Sequence, residues 1–293
     1  QRAIELLQQA IRQAPDFARA HLALAQSEAV APLYDNNDVS NAAVDAGFSR
    51  AGVSARRALE LDSTLSPEVT ALEGSMAMYE MRWDTAKSLL QQSLQENPEN
   101  PLAHYWYSFL LSRFGDFEQA LEHIKISASL DPLSATINNR LALAYLWMNE
   151  DDNAGRQFQV AASLGFLENI QIKPHLLYAF RQGRYADIER SLLALGNSPV
   201  WVHAFVNALG DEDARPQAAL IIDQAIAAGV IDRSFWFGIW IFLADPDRAV
   251  RDFDSSYRTQ DIELLWARES EFLRADARFI ELLKRVNLAA GIP

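Results

Sequence analysis

Five histidines, His21, His104, His123, His175 and His203, are the side chains best suited to metal ligation or proton transfer near neutral pH. Zinc held from one helix needs two of them three to five residues apart, so that both rings leave the same face. No pair here has that spacing. His104 and His123 can meet only across a helical hairpin, where a satisfied or solvated role is expected. With no cysteine, thiolate nucleophiles, disulfides and cysteine-bound zinc or iron–sulfur sites are excluded. The run Asp211, Glu212 and Asp213 offers oxygens, but it lacks the spaced ligands and glycine of a calcium loop and reads as a solvated turn. The sequence has no phosphate-cradling glycine loop and no G-x-S-x-G nucleophile elbow. Glu269 and Glu271 form a carboxylate pair that nothing raises above the others. The expectation is a non-catalytic chain with no cofactor and no metal site.

The elements that carry these side chains are helical. Ala, Leu, Gln, Glu and Arg dominate the 293 residues, Gly and Pro number only 12 and 11, and 49% apolar content supports a packed interior. The formal charge of −13 opposes nonspecific binding to nucleic acid or to anionic membranes, which needs Lys and Arg against phosphate. No stretch reaches the roughly 18–20 apolar residues that span a bilayer. FWFGIWIFLA, from Phe235 to Ala244, comes nearest and is too short. The compartment stays open between cytoplasm and, for a membrane-tethered parent, periplasm.

Pro98 and Pro132 lie 34 residues apart and close similar stretches, Gly74 to Pro98 and Ser108 to Pro132. A period of this size signals stacked helical hairpins, each unable to bury its own apolar face. Leu141, Ala142 and Tyr145 share one helix face, and Ala154, Phe158 and Ala161 share the next. Gly115, Phe117 and Ala120 repeat the pattern one unit earlier, and Gly74, Trp83 and Ala86 one before that. Together these residues resemble the tetratricopeptide repeat family over about 67–166. The resemblance implies an all-α fold, an α-solenoid of antiparallel helical hairpins, closed by a C-terminal capping helix. Residues 1–63 read as hairpins of the same kind, cut at the start and interrupted by extra chain at 31–46, a loop or a helix extension. Residues 167–257 read as divergent hairpins, with Gly165, Gly196 and Gly229 at helix ends. The whole is expected to form one continuous solenoid of about eight hairpins.

Residues 261–288 differ. Trp266, Leu273, Arg274, Asp276, Arg278, Phe279, Leu282, Leu283, Arg285 and Leu288 are similar to the closing segment of repeat regions in bacterial winged-helix transcription regulators and related adenylate-cyclase-like regulators. Ala277 stands where that pattern has proline. The resemblance implies the sensor or scaffold part of a multidomain regulator, with an output domain N-terminal to Gln1. The alternatives are a stand-alone adaptor in envelope or cytoplasmic complex assembly and an accessory domain of a larger enzyme. Phe279 and Leu283 are expected to dock on the last hairpin.

In tetratricopeptide arrays the first helix of each hairpin lines a concave groove. The register assigns that face to Met78, Tyr79, Tyr105, Phe109 and Arg113, then Asn139, Leu143, Leu146 and Trp147. Lys173, Leu177, Phe180, Arg181, His203 and Asn207 follow. Aromatics with Arg suit a protein or peptide partner with apolar anchors. The Lys and Asn set of a carboxylate clamp is absent in register. The run from Ser234 to Ala244, with Phe235, Trp236, Phe237, Trp240 and Phe242, reads as a helix buried all round or as a homodimer surface.

Overall fold

A computed structural model describes residues 2–34, 41–166, 172–231, 236–253 and 262–288. Two compact units divide the chain. The first, mainly Gln1–Ser112 and Glu118–Pro132, holds α1 (Arg2–Gln13), α2 (Ala18–Val30), α3 (Asn41–Leu61), α4 (Ser66–Tyr79) and α5 (Trp83–Glu96). It also holds all but the facing ends of α6 (Pro101–Arg113) and α7 (Phe117–Leu130). The second comprises Arg113–Phe117, Leu133–Ser255 and Gln260–Pro293. Its helices are α8 (Ala135–Trp147), α9 (Asp151–Ser163), α10 (Ile172–Arg181), α11 (Tyr185–Ala194), α12 (Pro199–Gly210), α13 (Arg215–Ala227), α14 (Trp236–Phe242) and α15 (Pro246–Asp252). Then come 3-10 turns at Ile262–Leu265 and Arg268–Ser270, α16 (Glu271–Arg274) and α17 (Phe279–Arg285). Among the described residues there is no strand, and short turns pair the helices into antiparallel hairpins. The all-α hairpin fold expected from the period is the fold observed.

The period is written into the backbone as well as the side chains. Met81, Gly115, Asn149 and Gly183 all have φ between 55° and 77°. They stand 34 residues apart (115 − 81, 149 − 115, 183 − 149) at the turn inside successive hairpins. Each ends a first helix in the left-handed region, which costs a residue with a Cβ about 1–2 kcal/mol. Amides beyond the turn return to the helix: Arg82 to the Ala77 carbonyl at 2.9 Å, Glu150 to Tyr145 at 2.9 Å and Arg184 to Ala179 at 2.9 Å. A second marker repeats at the other end of the hairpin. Ser93 Oγ donates to the Pro67 carbonyl at 2.6 Å, and Ser127 Oγ donates to the Pro101 carbonyl at 2.8 Å. Both partners advance by 34, and each bond ties a second helix to the start of its own first helix.

Burial follows the same division of labour. First helices α4, α6 and α8 are buried around most of their circumference, the polar Asn138, Asn139 and Arg140 of α8 included, while Glu73 of α4 stays exposed. Second helices α5, α7 and α9 bury one stripe, Ala86 with Leu90, Ala120 with Ile124, and Ala154 with Phe158, and leave the rest to water. The extra chain after α2 opens as a 3-10 turn, Ala31–Tyr34, and α3 begins at Asn41; residues 35–40 lie outside those described. Phe237 to Phe242 of α14 are buried within their own unit. Phe237 packs edge-on against Phe253 at 5.0 Å, Phe242 lies 5.1 Å from Phe180, and the Trp240 indole donates to Asp252 at 2.6 Å. Phe235 lies outside the described residues.

Ala244 ends α14 at φ 54° and is exposed, so its Cβ meets strain without compensating burial. Ala244→Gly is expected to raise unfolding stability by about 1 kcal/mol, read as a higher urea midpoint at unchanged slope.

Candidate functional site

Ten of the expected groove side chains are buried: Met78, Tyr79, Tyr105, Phe109, Arg113, Asn139, Leu143, Leu146, Trp147 and Leu177. Lys173 and Phe180 are half-buried, the Arg181 side chain is 1% exposed, and only His203 and Asn207 lie open. This corrects the expectation of an exposed aromatic patch. In the first unit the rings cover one another, with Tyr79 edge-on to Trp106 at 6.0 Å and Tyr105 6.0 Å from Phe109. In the second unit the chain's own residues after 262 lie on this face. The expected capping segment thus does more than close the last hairpin.

Three contacts set that segment against the first helices of the second unit. Arg140, 1% exposed, donates from Nη1 to Glu263 Oε1 at 3.1 Å. The Trp266 indole donates to the Arg113 carbonyl at 2.9 Å, and its ring lies against the turn at Gly115. A Cβ at Gly115 would come within 3.1 Å of that ring, so glycine serves both the left-handed turn and the indole. Arg181 holds Glu269 with a two-point fork, Nε to Oε1 at 2.8 Å and Nη2 to Oε2 at 2.9 Å. Its Nη1 reaches Asp151 at 3.1 Å and the Leu146 carbonyl at 2.5 Å.

Burial raises the affinity of the Glu269 carboxyl for its proton, but bonds from Arg181 and Arg268 outweigh it and hold the group below its ordinary value. The rest of the segment is stapled by Arg274 Nη1 on the Ala267 carbonyl at 3.0 Å and by Ser270 Oγ on the Leu264 carbonyl. Asp276 accepts the Arg278 amide at 2.8 Å, and the Arg278 guanidinium bonds both Asp276 and Asp247, which turns the chain into α17. Leu273, Phe279, Leu282 and Leu283 are buried beneath it.

Sequence reasoning did not single out Arg140 or Glu263. The available signal was an arginine in a first helix whose neighbours are apolar. Glu269 was visible only as one member of an ordinary acidic pair.

The histidines are placed structurally. His104 and His123 meet across the α6–α7 hairpin, Nδ1 to Nδ1 at 2.8 Å. His104 Nε2 lies 3.0 Å from the Pro98 carbonyl, which can only accept, so that nitrogen carries a proton. Neutral His104 then accepts at Nδ1 and His123 donates. His175 bonds Asn139 Oδ1 at 3.2 Å. Asp211 caps a turn by accepting the Asp213 amide at 3.0 Å. Among the described residues no three His, Asp or Glu side chains are grouped to hold a metal ion.

Burial lowers the pKa of His104, and burial with the neighbouring His104 lowers His123 to about 4; burial also lowers His175 to about 4. The unfolded chain therefore binds more protons than the native one between pH 6.5 and 4. Stability is whole above pH 6.5 and is lost as pH falls toward 4. Urea midpoints measured at pH 7.5 and 4.5 should show this decline, and His123→Gln with His175→Gln should make it shallower.

A tetratricopeptide repeat model matches residues 77–127. A tetratricopeptide repeat protein from Parabacteroides merdae ATCC 43184 shares the fold at TM-score 0.50 and 15% identity, covering 90% of this chain and 99% of that one. MamA is similar at 20% identity over 55% of this chain and 85% of its own, with TM-score 0.35. Yeast Tom70 is similar at 16% identity over 97% and 61%, also at 0.35. No curated protein matches the sequence. Residues 77–127 thus match a tetratricopeptide repeat model, in a chain whose helical hairpins share the fold of a tetratricopeptide repeat protein.

Proposed function

We propose that this chain is a non-catalytic interaction module that takes a protein or peptide partner on the inner face of its first helices. One observation carries the reading. The inner face of the second unit already holds a non-repeat stretch of polypeptide, 262–270, through side-chain-specific bonds from Arg140 and Arg181. A surface that reads one peptide by charge and indole placement has what a partner-binding face needs. Of the expected groove residues, His203 and Asn207 are the ones exposed to meet such a partner, and the buried ones hold the face in shape.

The similarity of the tail to the closing segments of bacterial regulators supports a sensor or scaffold role in a multidomain regulator. In that role partner capture changes the activity or assembly of a linked output domain. Among the described residues no helix is long and apolar enough to cross a membrane.

His203 and Asn207 are exposed on α12, so they tolerate substitution where Tyr105 or Trp147 would not. A photocrosslinking residue at 203 or 207 should trap a partner from the native source. The same residue at Leu133, 77% exposed in the turn between α7 and α8, should trap none. Equal yields at the three positions would move the site off the inner face.

A further inference from the structure

We propose that a small apolar cavity in the second unit binds a compact aromatic or branched-chain carboxylic acid, a function separate from the partner-binding face above.

Helices α10, α11, α12 and α14 and the turn at Ile262–Leu265 close round this cavity, which has about 380 Å³ of space with its open mouth counted. That bounds a ligand at a single ring or a short branched chain. The walls are the rings of Trp201, Phe205 and Phe242 with Leu192 and Leu264, all buried. Such walls accept an apolar body and reject a polar one, which would lose its hydration without return.

Three further observations favour a ligand over a packing gap. Gly238 lines the cavity from within α14, where glycine makes a helix less stable than alanine does. Nothing in the fold requires it there. A Cβ would meet only Leu264 Cδ1, at 3.8 Å, an ordinary contact, so the missing side chain simply leaves room. Trp201 is 1% exposed, and its Nε1 donor is buried without an acceptor. A buried donor left unmet is costly, and an oxygen brought by a ligand would satisfy it. Lys173 is the one charged side chain among the described residues of the lining, and it is half-buried. Partial removal from water strengthens the attraction of its ammonium for a carboxylate. Apolar walls, an unmet donor and one cation together match a monocarboxylate. Its body lies against the rings, and its oxygens serve the indole and the ammonium.

The test is a titration of the full chain, labelled with nitrogen-15 at tryptophan, with sodium phenylacetate. The readout is the indole N–H resonance of Trp201, assigned by its loss in Trp201→Phe. Phenylacetate should shift that resonance to saturation. Gly238→Ala should fold with a higher urea midpoint than the parent and bind phenylacetate about tenfold more weakly, the usual effect of one added carbon in an apolar pocket. Lys173→Gln should weaken phenylacetate by about tenfold, as expected for a lost charge-assisted bond, and leave the uncharged analogue toluene unaffected. A Trp201 resonance that does not saturate, or a Gly238→Ala chain that binds as the parent does, overturns the site. Toluene bound as tightly as phenylacetate, or undiminished affinity in Lys173→Gln, overturns the acid as its ligand.

Discussion

A helix that is buried around most of its circumference needs cover on more than one side. That constraint organises this molecule. Helices α4, α6 and α8 carry Met, Tyr, Phe, Trp and Leu where a surface helix would carry charge, so packing against one partner helix leaves apolar area still to cover. Neighbouring hairpins cover part of it. In the first unit the aromatic side chains of α4 and α6 lie against one another. In the second, the residues after 262 lie over α8 and α10. In both units the chain itself supplies the cover for these helices.

The way the second unit meets that need is informative. A purely apolar strap would have satisfied the hydrophobic requirement with less loss of hydration. Instead Arg140 and Arg181 are buried and paired, and removing one partner from such a pair leaves a charge stranded at a cost of about 3–5 kcal/mol. The pairs fix which residues of the strap stand opposite which helices. Trp266 adds the third fixed point through its bond to the Arg113 carbonyl and its contact with Gly115. The strap's position is therefore determined by chemistry as much as by shape.

Much of the fold was legible from particular residues. Pro98 and Pro132 gave the period, and the structure extends it through the left-handed turns at Met81, Gly115, Asn149 and Gly183. Only two of those four are glycine, which is why residue identity alone under-reported the register. Glycines 165, 196 and 229 end their helices at φ 92°, 81° and 68°, as their positions implied. The meeting of His104 with His123 was visible as a hairpin geometry, and its 2.8 Å bond follows from that pairing. The inner face was legible as a list of residues but not as a buried one. Arg113 and Arg181 stood on that list; Arg140, one position from Asn139, did not.

The sequence by itself determined what local periodicity can encode: helix, turn, hairpin and the 34-residue repeat. Each of these depends on residues within a few tens of one another, so spacing reveals them. The tertiary structure alone decided what covers the inner face. Arg140 and Glu263 are 123 residues apart, Arg181 and Glu269 are 88, and Trp266 and Arg113 are 153. No periodic pattern links such pairs. An arginine or glutamate in a helical sequence looks the same whether it faces water or a buried counter-charge, and only the folded chain brings the two together.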